Sequence, residues 1–343
     1  MKPRVDVIVP CYNYGDVLEA CVNSVLTQYD VDVRVLVMDD ASTDTTEEVG
    51  SRLAADPRVE YRRHAVNRGH IATYNEALAL LTGDFCMVLS ADDLLTPGAL
   101  RRATRVMVTH PAVGFTYGPD ITFRHAPPTA SAPSAEFCTH RIMAYAEFLE
   151  RSCRLGHTPI QAPTVVVRTS LHRQIGNYLP ELPHTADTEI WLRMAANSAV
   201  CELHAPQAFR RLHEKNMSLD YSPVRRLDEQ KKAFDVHFDQ FRSTHREIAD
   251  LQPIVTRTIA DQAFWSAVRA FESGDRATCR DFLVFAAGVC PEIESSVAWR
   301  RFRMKRWLGP AFWRRLAPAM SRMQAMLALR PLLTTERPGV GAK

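Results

Sequence analysis

The chain has 343 residues, 46% of them hydrophobic and 24% charged, and its formal net charge is +3. These values are ordinary for a globular protein with a substantial core, either one large domain with an appendage or two modest domains. No apolar run approaches the length of a membrane span, which argues against a membrane-spanning protein.

The eight cysteines indicate a reducing compartment. They form no C-x-x-C pair, and Cys11, Cys86 and Cys201 lie within apolar, strand-like runs. We therefore expect free thiols and a cytoplasmic protein. A strand-like run begins directly after Arg4, so we also expect no signal peptide.

The first 222 residues alternate between strand-like and helix-like segments. The predicted strands are 5–10, 31–38, 59–62, 85–89, 113–117, 163–168 and 203–212. The predicted helices are 16–28, 45–49, 72–81, 100–109 and 187–194. This alternation predicts an α/β fold with a doubly wound, mainly parallel sheet. From Pro223 onward the pattern is helical, so we predict one domain over 1–222 and a helical C-terminal extension over 223–343.

Two pairs of acids follow predicted strands. Asp39 and Asp40 come after strand 31–38, and Asp92 and Asp93 come after strand 85–89. Because the carboxyl ends of parallel strands meet at one edge of a sheet, both pairs are expected to face one ligand crevice. Paired carboxylates suit a hard divalent cation, and such a cation neutralises a diphosphate. The glycine-rich phosphate loops G-x-G-x-x-G and G-x-x-x-x-G-K-[ST] are both absent from the sequence.

Six motifs in order give the chain a family resemblance that covers about 220 residues. They are Val7-Ile8-Val9-Pro10-Cys11-Tyr12-Asn13, Val37-Met38-Asp39-Asp40-Ala41-Ser42-Thr43-Asp44, Asn67-Arg68-Gly69 with Asn75, Leu89-Ser90-Ala91-Asp92-Asp93, Asp187-Thr188-Glu189-Ile190-Trp191-Leu192-Arg193, and Arg211-Leu212-His213 followed by Ser218. On these residues the chain resembles a family 2 inverting glycosyltransferase of the nucleotide-diphospho-sugar transferase (GT-A) fold. It departs from the family at Ser90, where many relatives carry the first acid of an Asp-x-Asp motif.

The resemblance implies a nucleotide-diphospho-sugar donor, with a UDP-sugar favoured. It implies that Tyr12 stacks on the base, that Asp40 accepts a hydrogen bond from it, and that Asn13 and Arg68 contact the donor. Asp40 has a structural alternative, since Asp-Asp-x-Ser-Thr-Asp is good turn chemistry by itself. Asn13 and Arg68 are equally well read as ordinary loop residues.

The resemblance also implies a metal, Mg²⁺ or Mn²⁺. Asp92 is the predicted ligand and donor contact, Asp93 a second ligand or a ribose contact, and His213 a ligand or a diphosphate contact. As alternatives, the two acids cap the segment that begins near Pro97, and His213 is a structural histidine.

Asp187 is the implied general base for the acceptor hydroxyl, which is expected on a glycan or a lipid-linked acceptor of cell-surface polysaccharide or glycolipid synthesis. Its structural alternative is strong, because Asp187 and Glu189 both lie in the first turn of a helix, where acids are favoured. Two other functions remain open at this point, a nucleotidyltransferase of related fold and a catalytically silent sugar-nucleotide-binding or scaffold protein.

The C-terminal segment is strongly basic. Residues 298–343 contain eleven Lys/Arg and one acid, which leaves the rest of the chain with a net charge of −7. Aromatic residues lie between these cations, and Pro310 and Pro318 interrupt the run, so we predict peripheral contact with the inner face of the cell membrane through residues 298–330. The alternative is packing on the acidic body of the protein itself. We expect no nucleic-acid partner, because the segment lacks a recognisable recognition fold.

Overall fold

Two β-sheets form the centre of the N-terminal part of the chain, as seen in a computed structural model that describes residues 2–126, 138–214 and 222–309. The strands are β1 (Arg4–Cys11), β2 (Asp32–Asp39), β3 (Val59–Arg63), β4 (Phe85–Val88), β5 (Leu94–Leu95), β6 (Val113–Tyr117), β7 (Asp120–Phe123), β8 (His140–Met143), β9 (Val166–Arg168), β10 (Ala199–Leu203) and β11 (Ala208–Arg211).

Helices alternate with the strands in the chain, and further helices follow the last strand. They are α1 (Gly15–Leu26), α2 (Thr46–Leu53), α3 (His70–Leu78), α4 (Ala99–Thr109), α5 (Tyr145–Leu155), α6 (Thr169–Ile175), α7 (Ala186–Ala195), α8 (Pro223–Phe241), α9 (Leu251–Ser273), α10 (Arg276–Val289) and α11 (Val297–Leu308).

The larger sheet has the strand order β3-β2-β1-β4-β9-β6-β10-β8. Strands β3, β2, β1 and β4 run parallel to one another, and β10 is parallel to β6. Strand β9 is antiparallel to both β4 and β6, and β8 is antiparallel to β10. The predicted α/β fold with a mainly parallel sheet is thus confirmed, and the antiparallel β9 and β8 were not foreseen.

Burial on both faces explains why the central strands are apolar almost throughout. Val7 and Ile8 are neighbours that point to opposite faces, and both are fully buried. Val7 packs in a cluster with Leu18 and Val22 of α1. A parallel sheet covered by helices on both sides requires this pattern, since neither face of the strand meets water.

The prediction of one strand over 203–212 is wrong. The chain leaves β10 at Leu203, turns, and re-enters extended structure at Ala208 in a second sheet with the order β5-β11-β7. Pro206 lies in the turn, and a proline has no N–H to donate to a sheet ladder, so one continuous central strand could not pass through it. The turn carries β11, and with it His213, toward the end of β4.

The chain divides into two compact units, Met1–Thr258 and a second unit from Ile259 onward. In the first, α8 packs against α7. In the second, the Trp299 ring of α11 stacks on Phe264 of α9 at 5.5 Å, and Phe302 is buried. The predicted boundary at residue 222 stays a prediction.

Within the described residues, no helix combines the length and apolar character needed to cross a membrane. All eight cysteines are free thiols.

Candidate active site

A cleft of about 520 Å³ opens at the carboxyl ends of β1, β2 and β4. This is the edge at which open α/β sheets bind ligands. The loops after those strands and the start of α3 form its walls. The lining residues are Pro10, Cys11, Tyr12, Asn13, Tyr14, Asp40, Asn67, Gly69, His70, Thr73, Tyr74, Ser90, Ala91 and Asp92.

Asp40 is the best-anchored acid of the cleft. Its Oδ1 accepts hydrogen bonds from the Arg68 N–H at 2.8 Å and lies 2.7 Å from the His64 ring, and its Oδ2 accepts from the Gly69 N–H at 2.8 Å. Burial acts to raise the pKa of this carboxyl, but the hydrogen bonds from His64, Arg68 and Gly69 outweigh it and lower the pKa. Three contacts leave room for one more donor at a carboxylate, so Asp40 both orders the loop and can accept from a ligand.

Backbone strain marks two of the loops. Asn13 and Ala41 have φ values of 59° and 63°, in the left-handed region that costs a non-glycine residue energy. The side-chain oxygen of Asn13 compensates by accepting a hydrogen bond from the Thr43 N–H at 2.8 Å. The main-chain N–H of Asn13 donates to the Ser42 hydroxyl at 2.9 Å. Asn13 therefore lines the cleft while its amide oxygen ties the loops after β1 and β2 together.

Tyr12 and Arg68 differ in how they meet the cleft. The Tyr12 side chain is 47% exposed and lines the cleft, as a stacking residue must. The Arg68 guanidinium is paired with Glu76 of α3, and Arg68 is not among the lining residues. The main-chain N–H of Arg68 donates to Asp40, and the contact of Arg68 with the donor stays a prediction.

Asp92 lines the cleft and contacts His213. Asp92 follows β4, His213 follows β11, and the Asp92 Oδ2 lies 2.8 Å from the His213 Nε2. The His213 ring also rests edge-on against Tyr14, with 5.9 Å between the ring centres. Two of the three predicted metal ligands, Asp92 and His213, are therefore brought together although 120 residues separate them in sequence.

Asp93 points elsewhere. Its Oδ1 accepts from the Arg211 N–H of β11 at 2.9 Å, and it is absent from the cleft lining. Burial and the adjacent charge of Asp92 raise the pKa of the Asp93 carboxyl. The two neighbouring carboxyl groups therefore have different surroundings. Asp92 lines the cleft, whereas Asp93 accepts a hydrogen bond from the main chain of β11.

Asp187 lies in a second, smaller cavity of about 160 Å³ that adjoins the cleft. Tyr74 and Ser90 line both cavities. The remaining walls of the smaller cavity are mainly apolar and include Trp191. Burial raises the pKa of the Asp187 carboxyl to about 6. Within residues 2–126, 138–214 and 222–309, no hydrogen bond or ion pair engages this carboxyl, unlike Glu189, which is paired with Arg193 at 2.7 Å.

Sequence reasoning missed two residues of the site. His64 follows β3 directly and contacts the Asp40 carboxylate. Its position after a predicted strand of the sheet is a sequence signal for a side chain at the ligand-binding edge. Tyr74 reads in sequence as one more apolar position of a helix, and only the tertiary structure shows that it faces both cavities. Within the described residues, His, Cys, Asp and Glu side chains form no cluster of three that could hold a metal.

The amino-acid sequence is similar to a known protein family and to a known protein. The sequence model of the family described as glycosyl transferase family 2 matches residues 6–175. A Mycobacterium tuberculosis protein described as uncharacterized is 25% identical over 279 residues, which cover 78% of this chain and 80% of the relative.

Two solved structures share the fold. Residues 1–349 of S. aureus TarS in complex with UDP-GlcNAc superpose with a TM-score of 0.53 at 17% identity, over 86% of this chain and 92% of that one. The mannosyltransferase PcManGT from Pyrobaculum calidifontis, in complex with GDP-Man and Mn²⁺, superposes with a TM-score of 0.53 at 18% identity, over 84% of this chain and 86% of that one.

Proposed function

Because this chain belongs to glycosyltransferase family 2, we propose that it transfers a sugar from a nucleoside-diphosphate donor to an acceptor hydroxyl and inverts the anomeric configuration. The observation that carries the proposal is the junction of the two cavities, which share Tyr74 and Ser90. One cavity holds Asp40 and Asp92, suited to the donor, and the other holds the Asp187 carboxyl, which has no partner among the described residues and is suited to the acceptor.

The proposed reaction is a single displacement. The acceptor hydroxyl gives its proton to the Asp187 carboxylate, and its oxygen forms a bond to the anomeric carbon. The bond between that carbon and the diphosphate oxygen breaks, and nucleoside diphosphate leaves from the opposite face. A raised pKa suits this task, because a base near neutrality accepts a proton more readily than an ordinary carboxylate.

The Asp92 and His213 pair fits a divalent cation. The Asp92 carboxylate oxygen and the His213 imidazole nitrogen lie 2.8 Å apart, and Asp92 lines the cleft. Mg²⁺ and Mn²⁺ take such ligands and complete their shells with substrate phosphates and water, so a third protein ligand is not required. When bound, the cation would supply charge stabilisation for the departing diphosphate. In this proposal Asp93 fixes β11, and hence His213, behind the site.

A panel of UDP-, GDP- and dTDP-sugars with Mn²⁺ tests the function. Release of nucleoside diphosphate from at least one donor is expected, and the acceptor class is expected among glycans and lipid-linked glycans. No release and no binding across the panel would contradict the proposal.

Substitution of Asp40 should weaken donor binding. In Asp40→Ala the main-chain N–H groups of Arg68 and Gly69 lose their acceptor, and the loop that walls the cleft loosens. Loss of charge-assisted hydrogen bonds of about 1.5–3 kcal/mol each predicts at least a tenfold rise in the dissociation constant for UDP or GDP, measured by calorimetry. Asp56→Ala is the matched control, since Asp56 pairs with Arg58 outside the cleft. Parent-like affinity in Asp40→Ala would remove Asp40 from the donor site.

We also propose that α11 contacts an anionic membrane surface. Trp299 and Phe302 are used within the second unit, but Trp307 is 85% exposed and Met304 65% exposed. Four arginines and a lysine share this helix, and each cation near an anionic surface adds on the order of 1 kcal/mol. The rest of the predicted contact segment, 310–330, lies outside the described residues.

Flotation with anionic liposomes tests this contact in the full chain. Trp307→Glu should lower the fraction of protein that floats at low salt several-fold. Trp265→Glu should not, although Trp265 of α9 is 53% exposed. Equal flotation of both variants and the parent would refute the contact through α11.

A further inference from the structure

Tyr74 lies where the donor cleft and the Asp187 cavity meet. It projects from α3 and lines both cavities, a property that it shares only with Ser90 among the described lining residues. This side chain therefore borders both the cleft that holds Asp92 and the cavity that holds Asp187.

The ring of Tyr74 is held in place from two sides. His70 contacts it edge-on at 5.6 Å between ring centres, and Tyr178 does so at 5.5 Å. Tyr178 is itself fixed, because its main-chain N–H and C=O both bond to the Asn75 amide at 2.9 and 3.0 Å. The phenol is thus a rigid feature of the junction and cannot swing away at little cost.

The Tyr74 hydroxyl has an unused hydrogen-bonding capacity. In the part of the chain that the structure describes, no side chain or main-chain group bonds to it, and it is not sealed from the cavities. Burial and the negative charges of Asp187 and Asp92 raise the pKa of this phenol, so it stays protonated and acts as a donor.

We propose that the Tyr74 hydroxyl donates a hydrogen bond to an oxygen of the transferred sugar, and that this contact helps to select the donor. The inference rests on the proposed function, because it requires the donor nucleotide to occupy the cleft. The ligand class is a hydroxyl-rich sugar ring, since the nucleoside and the diphosphate have their own contacts at Asp40 and Asp92, on the cleft side of the junction.

Tyr74→Phe tests the contact, because it removes one oxygen and keeps both ring contacts. The measurement is calorimetric binding of UDP and of UDP-GlcNAc with Mn²⁺, or of GDP and GDP-mannose where the parent protein prefers guanine. We expect the sugar nucleotide to bind roughly five- to tenfold more weakly while the free diphosphate binds as before, as loss of one neutral hydrogen bond predicts. Tyr29→Phe is the matched control, since Tyr29 is 40% exposed and lies outside the cleft lining.

The outcomes separate this inference from the function on which it rests. Unchanged affinity for both ligands would overturn the sugar contact and leave the proposed function intact. An equal loss for both would also overturn it, because it would show that the hydroxyl only supports the cleft. Failure of the parent protein to bind any nucleotide or sugar nucleotide of the UDP, GDP and dTDP panel would overturn the proposed function, and this inference with it.

Discussion

Asp187→Asn should abolish sugar transfer and leave donor binding within about twofold of the parent. The substitution keeps the size of the side chain and removes its ability to take a proton. General-base catalysis contributes about 10²- to 10⁴-fold, so the rate of transfer should fall by that factor. The variant should change catalysis without disturbing the structure, because the Asp187 carboxyl makes no hydrogen bond within the described residues that the substitution could break.

The pH dependence of the parent protein should report the same group. A base acts in its ionised form, and burial raises the pKa of Asp187 to about 6, so kcat/KM should rise with pH through about 6 and level off above it. The variant should lose this limb while its thermal unfolding stays close to that of the parent. Transfer at the parent rate, or an unchanged acid limb in the variant, would assign the base to another residue.

The sequence predicts those parts of the site that depend on local order. Asp40 and Asp92 follow strongly apolar runs, and the end of such a run fixes the edge of the sheet at which the acids appear. The motif that contains Asp187 is recognised by its resemblance to the family, and the raised pKa of this carboxyl comes from packing that no local pattern encodes.

The parts that could not be predicted depend on tertiary pairing. Arg68 is predicted as a donor contact, which stays a prediction, but the pairing of its guanidinium with Glu76 of α3 is not visible in the sequence. Asp92 and Asp93 are adjacent and chemically identical, and only the position of β11 decides which of them faces the cleft. The break between β10 and β11 was visible at Pro206, but the second sheet that receives β11 was not.

Asp92→Ala should remove both activity and metal binding without unfolding the protein. Asp92 follows β4 and lines the cleft, and its carboxylate contacts His213. The proposed site has two protein ligands, and Asp92→Ala leaves one. Mn²⁺ in the presence of UDP should therefore bind at least tenfold more weakly, because the loss of a residue that only hydrogen-bonds to a metal ligand already lowers metal affinity about 10- to 100-fold. Electron paramagnetic resonance of Mn²⁺ measures this directly, whatever the acceptor is.

Asp93→Asn is the matched control for that result. Burial and the charge of Asp92 already favour the protonated form of Asp93, and asparagine can still accept from the Arg211 N–H. We therefore expect Asp93→Asn to keep Mn²⁺ binding within a few-fold of the parent, and His213→Ala to lose it as Asp92→Ala does. Full turnover of the parent protein in excess EDTA would refute metal dependence, and a loss of Mn²⁺ binding in Asp93→Asn equal to that in Asp92→Ala would place both acids in the metal shell.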